Sequence, residues 1–88
     1  MNIYVKTFNN NISYLPELPL YLRRLLCFNC NLKELPNLSE FINIKYLDCS
    51  RNNLKELNNL PINLCKLDCS FNELINLDNL PKKLITLI

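Results

Sequence analysis

A leucine pattern repeated about every 20 residues constrains this sequence more than any other feature. Aligned on a central apolar residue, successive segments place apolar side chains at positions 1, 4, 6, 11 and 14 of a common unit. The central residues are Val5, Leu25, Leu47, Leu67 and Leu87, which lie 20, 22, 20 and 20 residues apart. A unit this short cannot bury its apolar side chains alone, so the pattern predicts that the units stack into a solenoid.

The units make the chain a single repeat domain over residues 1–88. Their approximate bounds are 2–21, 22–43, 44–63 and 64–83, followed by a partial unit over 84–88. The first unit is degenerate, because Val5, Thr7 and Ile12 stand where later units have leucine or cysteine. The second unit is two residues longer, and we expect an outer loop near residues 40–42 to absorb this insertion.

Positions 4 and 6 of each unit have the two-residue period of a β-strand. In the third unit, Leu47 and Cys49 therefore point inward, while positions 3, 5 and 7 point outward. A short return containing Pro19, Pro61 or Pro81 leaves no room for a long helix. The predicted fold is a helix-poor repeat solenoid, with a short parallel β-sheet on its concave face and extended or 3₁₀ segments on its convex face.

Two strings carry a resemblance to a known family. The first is the Pro-containing run from Leu15 to Leu25, and the second is Asp-Cys-Ser-x-Asn, at residues 48–52 and 68–72. These residues resemble the leucine-rich repeat family, and in particular its short, about 20-residue, Pro-containing subclass known from bacterial type III effectors and giant-virus proteins. The resemblance implies a solenoid that recognises proteins. It covers the repeats alone and implies no enzymatic activity.

Position 9 of the unit holds a polar residue at the point where the chain turns inward. Asn10, Asn52 and Asn72 occupy this position, and Cys30 takes it in the second unit. A carboxamide has two donors and an acceptor, so stacked Asn side chains can satisfy backbone groups that leave the sheet. We therefore predict a structural Asn ladder of Asn10, Asn52 and Asn72, with a weaker thiol donor at Cys30.

The cysteines bear on both the compartment and metal binding. Their odd number, five, without an apolar signal segment favours a reducing, cytoplasmic location, or the host cytoplasm for a viral protein. Cys27 and Cys30 have the spacing of a zinc-binding pair. However, Cys27, Cys49 and Cys69 recur at position 6, where stacking sets them in a row instead of at the corners of a tetrahedron. The sequence predicts core cysteines, no metal site and no cofactor.

The rest of the composition argues against several classes of function. The chain has no His for proton transfer at neutral pH and no Gly for a phosphate-binding loop, so we expect no enzyme and no catalytic residue. A net charge of +2 and the lack of a long apolar run favour neither nucleic acid nor a membrane as partner. Abundant Asn and Ile without Gly or Ala indicate an A/T-rich genome, as in some large DNA viruses, protists and endosymbiotic bacteria.

The outward strand positions predict a partner-binding surface on the concave face, which is the usual binding surface of a solenoid. Aromatic and Arg residues gathered on an exposed face have the composition of an interface hot spot. The alternative for Phe8 and Phe28 is that they only pack on each other across strands. The candidate residues are Tyr4, Phe8, Arg24, Leu26, Phe28, Tyr46, Asp48, Arg51, Lys66, Asp68 and Phe71.

A second function remains open beside binding of a protein partner. The last segment, Leu84 to Ile88, stops in mid-repeat without a polar capping repeat, which predicts an open, apolar strand edge at this end. Such an edge can pair with another copy of the chain. The chain would then be a structural or assembly component, viral or virion-associated in a viral source, that forms a homo-oligomer through its uncapped ends.

Overall fold

A computed structural model describes residues 4–8 and 10–88. Five short strands form one parallel sheet, in which the spatial order of the strands is their order in the chain. The strands are β1 (Val5–Thr7), β2 (Arg24–Leu26), β3 (Tyr46–Asp48), β4 (Lys66–Asp68) and β5 (Thr86–Leu87). Residues 4–8 and 10–88 contain no helix, and therefore no helix able to cross a membrane. The open parallel sheet confirms the predicted solenoid.

The register from β2 to β5 is the one that the period predicts. Leu25 pairs with Leu47, Leu47 with Leu67, and Leu67 with Leu87, so the four side chains form one inward row. The first three are 0% exposed, whereas Leu87, on the last strand, is 43% exposed. Each leucine of this row is therefore buried by the repeats on both sides of it, and the buried fraction decreases at the end of the stack.

The convex returns are built from single turns instead of helices. The amides of Leu22, Leu64 and Leu84 each donate to the carbonyl three residues earlier, at 3.3, 3.1 and 3.2 Å. The acceptor in each case is a proline carbonyl, because the fixed φ of Pro favours the start of such a turn. In the second unit two turns follow each other, from Leu38 to Phe41 and from 41 to 44, and they absorb the two extra residues.

The first unit departs from the predicted alignment by one residue. Val5 pairs with Arg24 and Lys6 pairs with Leu25, so the prediction that Val5 shares the row of Leu25 is wrong. A shift of one residue exchanges the two faces of a strand. The predictions for the side chains of the first unit therefore change with it.

The reason for this shift is the size of Phe8. In the observed register Phe8 lies in the inward row of Cys27 and packs against the core, where the alignment predicted the smaller Thr7. An aromatic ring removes much more apolar area from water than a threonine does. Lys6 takes the inward place of a leucine in exchange, but β1 is an edge strand in the described residues and Lys6 stays exposed.

Candidate functional site

Two rows of outward side chains cover the concave face of the central strands. At position 3 of the unit, Arg24 pairs with Tyr46 and Tyr46 with Lys66. At position 5, Leu26 pairs with Asp48, which in turn pairs with Asp68 of β4. All these side chains are exposed or half-buried, in contrast to the buried leucines between the two rows. The alternation of a strand thus separates the core from this surface.

Tyr46 lies at the centre of the position-3 row, between two cations. The guanidinium carbon of Arg24 and the Nζ of Lys66 each lie 5.1 Å from the centre of its ring, within cation–π range. Burial, followed by the nearby carboxylates of Asp48 and Asp68, raises the pKa of the Tyr46 hydroxyl, and Arg24 opposes this shift. Tyr46 therefore stays neutral at physiological pH, and its contacts hold the two long cationic side chains against the sheet.

The two aspartates of the position-5 row each close a local turn. The Oδ1 of Asp48 accepts from the Ser50 amide at 3.0 Å and from the Ser50 hydroxyl at 2.6 Å. The Oδ1 of Asp68 accepts from the corresponding groups of Ser70, at 3.1 and 2.7 Å. Such an Asp turn bends the backbone where the strand ends. The two turns also fix both carboxylates on the concave face, and the Oδ2 atoms take no part in these hydrogen bonds.

The residue at position 8 of the second, third and fourth units has a left-handed backbone. The φ angles of Asn29, Arg51 and Phe71 are 55°, 57° and 55°. Asn adopts this conformation readily, whereas a residue with a long or bulky side chain pays on the order of 1–2 kcal/mol for it. Phe71 adopts this conformation although 70% of its side chain is exposed, so little burial offsets the cost. The guanidinium carbon of Arg51 lies 4.4 Å from the centre of the Phe71 ring.

The structure removes two of the predicted residues from the concave face. Phe8 faces the core, because of the shifted register of β1. Tyr4 lies one position before the outward row, where its ring stacks on Arg23 at 4.1 Å and meets the edge of Tyr21 at 6.3 Å. Six of the other nine lie on the strands, and Phe28, Arg51 and Phe71 follow the strand ends within three residues. We call these nine the concave patch: Arg24, Leu26, Phe28, Tyr46, Asp48, Arg51, Lys66, Asp68 and Phe71.

Asn52 holds five hydrogen bonds at position 9. Its Oδ1 accepts from the amides of Cys30 and Leu32 in the preceding unit, at 3.0 and 2.9 Å. Its Nδ2 donates to the carbonyls of Cys27, Cys49 and Ser50, at 3.0, 3.0 and 3.1 Å. The side chain thereby joins two adjacent repeats below the end of the sheet, as a ladder of carboxamides requires.

The other members of the predicted ladder differ from Asn52. Asn72 accepts from Leu54 and donates to three carbonyls, but it is only half-buried. Asn10 is exposed, so the prediction of a buried ladder position there is wrong. The reason is directional: each ladder Oδ1 accepts from the preceding unit, and the described residues contain no unit before that of Asn10. At Cys30 the thiol donates instead, to the carbonyls of Phe8 and Phe28 at 3.2 and 3.3 Å.

The position-6 cysteines lie in the core. Burial, with smaller contributions from Cys30 and Asp48, raises the pKa of the Cys27 thiol to about 12. Burial likewise raises the pKa of Cys49 well above its ordinary value, and the neighbouring thiols of Cys27 and Cys69 add to the shift. A thiol with such a pKa stays protonated at neutral pH and is a poor nucleophile. Among residues 4–8 and 10–88, no group of three or more His, Cys, Asp or Glu side chains could hold a metal ion.

A second row of asparagines, which was not predicted from the sequence, lies beside the concave patch. The Nδ2 of Asn31 donates to the Oδ1 of Asn11 at 3.2 Å, and Asn53 donates in the same way to Asn31. With Asn29 and Arg51 these side chains line an open polar cavity of about 480 Å³. The sequence signal was an Asn at position 10 of three successive units.

Comparison with known proteins supports the repeat fold. Neither the protein-family models nor the curated proteins match this sequence. Among solved structures, YopM from Yersinia enterocolitica WA-314, a leucine-rich repeat bacterial effector, is similar, with 40% identity and a TM-score of 0.84 over 96% of this chain. The chain spans 18% of the length of YopM. Together with the stacked parallel strands, this similarity shows that the chain folds as a solenoid of short leucine-rich repeats, a fold of protein-interaction scaffolds.

Proposed function

We propose that this solenoid of leucine-rich repeats is a non-enzymatic protein-interaction module that binds a partner on its concave patch. The similarity to YopM supports an interaction role in general. The composition of the patch supports the position of the site, because Tyr, Phe and Arg are enriched at protein interfaces. The apolar side chains of Leu26 and Phe28, both half-buried, extend the patch toward β2.

Contacts within the patch also hold three of its cationic side chains in place. Arg24 and Lys66 are held by the ring of Tyr46, and Arg51 is held by the ring of Phe71. A side chain that is already ordered loses less conformational entropy when a complex forms. These contacts therefore favour binding, in addition to whatever contacts the same groups make with the partner.

The observation that carries the proposal is the conformation of Phe71. A bulky aromatic residue occupies a left-handed position, is 70% exposed, and buries little apolar area in return. The equivalent position of the second unit holds Asn29, a residue that suits this backbone. Strain retained at an exposed aromatic side chain indicates a role in binding, since folding alone would favour asparagine.

Replacing Phe71 with asparagine should separate stability from binding. In the Phe71→Asn chain we expect the free energy of unfolding to rise by about 1 kcal/mol, because the left-handed strain is relieved. We expect the affinity for a protein retained from a cell extract by the unaltered chain to fall by about 30-fold, the loss typical of a hot-spot residue. Urea unfolding and titration with that purified protein measure the two quantities.

The matched control is Tyr14→Asn, which removes an aromatic side chain of similar exposure, 72%, outside the concave patch. This variant should keep the affinity of the unaltered chain. If the unaltered and Phe71→Asn chains bind with equal affinity and both are folded, the concave patch is ruled out as the binding surface. Equal losses in both variants would point to a general effect of surface hydrophobicity instead.

A second candidate role is self-association through the last strand. In the described residues β5 pairs only with β4, and its neighbours Ile85 and Ile88 are 84% and 54% exposed. Beside them an open cavity of about 680 Å³ is lined by apolar side chains that include Leu74 and Leu77. An exposed apolar strand edge is a template for pairing with another chain.

Light scattering over a range of concentrations tests this role. A self-associating chain should show a mass that rises with concentration, and Leu87→Glu should return it to the mass of one chain by charging the edge. Leu20→Glu, which changes an exposed leucine on the convex side, should leave the rise unchanged. A single-chain mass for the unaltered protein at every concentration would exclude this second role.

A further inference from the structure

Most of the cationic side chains lie at the start of a strand or in the segment just before it. Six of the ten Lys and Arg residues fall in the segments 20–24, 42–46, 62–66 and 82–86, which contain none of the eight acidic residues. All six side chains are exposed. We call these residues the basic edge: Arg23, Arg24, Lys45, Lys66, Lys82 and Lys83.

The backbone fixes the spacing of the basic edge. The Arg23 amide donates to the Tyr4 carbonyl at 2.8 Å, and the Lys45 amide donates to the Arg23 carbonyl at 2.9 Å. The Cys65 amide continues this series to the Lys45 carbonyl at 2.9 Å. Hydrogen-bonded parallel strands lie about 4.8 Å apart, so the stacking of repeats sets Arg23 and Lys45 side by side in a row. The row depends on the fold and not on proximity in sequence.

The contacts that order these cations leave their charge in place. The guanidinium carbon of Arg23 lies 4.1 Å from the centre of the Tyr4 ring, and the Nζ of Lys83 donates to the Oδ1 of Asn63 at 2.8 Å. Both contacts are with neutral groups. The carboxylates of Asp48 and Asp68 lie two residues beyond position 3 on the concave face, where they are bonded to serines. They are placed to balance Arg24 and Lys66 on the strands, but not Arg23, Lys45, Lys82 and Lys83, which precede the strands.

We infer that the basic edge binds an acidic, carboxylate-rich segment of a partner protein. In an extended acidic segment, alternate side chains are about 7 Å apart, within the reach of the long cationic side chains of neighbouring strands. A nucleic acid fits less well, because single strands bind by stacking bases on aromatic faces. The rings of Tyr4 and Tyr46 already stack with cations. This inference adds to the proposed function the chemistry of one part of the partner. It rests on four cations outside the concave patch, Arg23, Lys45, Lys82 and Lys83, and on Arg24 and Lys66, which belong to both surfaces.

A labelled peptide of alternating Glu and Ser, titrated with the full chain and followed by fluorescence anisotropy, tests the inference. We expect binding that weakens as salt is raised, because exposed charges are screened. The double variant Arg23→Glu/Lys45→Glu should lower the affinity by about tenfold or more, since like charges would then face each other. The neutral variant Arg23→Gln/Lys45→Gln should give an intermediate loss, and circular dichroism should show both variants folded.

The matched control is Lys33→Glu/Lys55→Glu, which makes the same change in net charge at exposed positions of the same two repeats, away from the basic edge. It should change the affinity less than about twofold. Phe71→Asn should leave peptide binding intact. The experiment therefore distinguishes a failure of the acidic-segment hypothesis from a failure of the proposed binding at the concave patch. Absence of peptide binding, equal losses in the control, or tighter binding of single-stranded DNA of the same length would each overturn the inference.

Discussion

Asn52→Leu should lower the free energy of unfolding by about 4 kcal/mol, a large part of the 5–15 kcal/mol that typically stabilises a domain. Leucine has nearly the same shape as asparagine but can neither accept nor donate a hydrogen bond. The amides of Cys30 and Leu32 would lose their acceptor, and both bonds are buried. Each buried donor left unpaired costs about 1–3 kcal/mol.

The three predicted ladder positions form a graded series for this experiment. Asn72→Leu should cost less than Asn52→Leu, because Asn72 accepts one amide bond and is half-buried. Asn10→Leu should change the stability by less than about 0.5 kcal/mol, because Asn10 is exposed. Urea unfolding followed by circular dichroism measures all three. Equal losses at the three positions would contradict a ladder in which each side chain joins its own repeat to the preceding one.

The leucine period determined most of the fold because it repeats the same constraint several times. From Leu25 to Leu87, each inward leucine pairs with an inward leucine at the same position of an adjacent unit, so an error in register would misplace all of them. The position of β5 could be predicted from only Leu84 and Leu87 for the same reason. A stacked repeat transmits its register from one unit to the next.

The first unit lacked this redundancy, and its alignment was wrong. Val5 and Thr7 matched the pattern of the later units in sequence, but the pattern takes no account of side-chain size. Phe8 competes with Thr7 for one inward place, and the larger ring gains more from burial. An end strand has a neighbour on one side only, so a local gain of this kind is enough to shift it by one residue.

The concave patch could be predicted only in outline. The alternation of the strands placed Tyr46, Asp48 and Lys66 outward, where the structure has them. The left-handed backbone of Arg51 and Phe71 could not be read in the same way, because neither residue type favours that conformation. The Asp-x-Ser spacing ahead of both residues is the local signal of a turn that could have indicated it.

The leucines of the inward row provide the second large effect. Leu47→Ala and Leu67→Ala should each lower the free energy of unfolding by about 3–5 kcal/mol, because both side chains are 0% exposed and packed between adjacent repeats. Leu87→Ala, the same change at the same position of the last unit, should cost less than about 1 kcal/mol, since 43% of this side chain is exposed. Urea unfolding of the three variants at one low protein concentration makes the comparison.

The difference between Leu47 and Leu87 also bears on how the solenoid is completed. In a single chain, the loss at Leu87 should stay small and independent of protein concentration, because nothing in the described residues covers that side of β5. If another copy covers the edge, the loss at Leu87 should rise with concentration toward the value at Leu47, because association adds to apparent stability. A loss at Leu87 equal to that at Leu47 even at high dilution would contradict the exposed edge itself. The same three variants therefore measure both how far the core extends and whether its last strand is an interface.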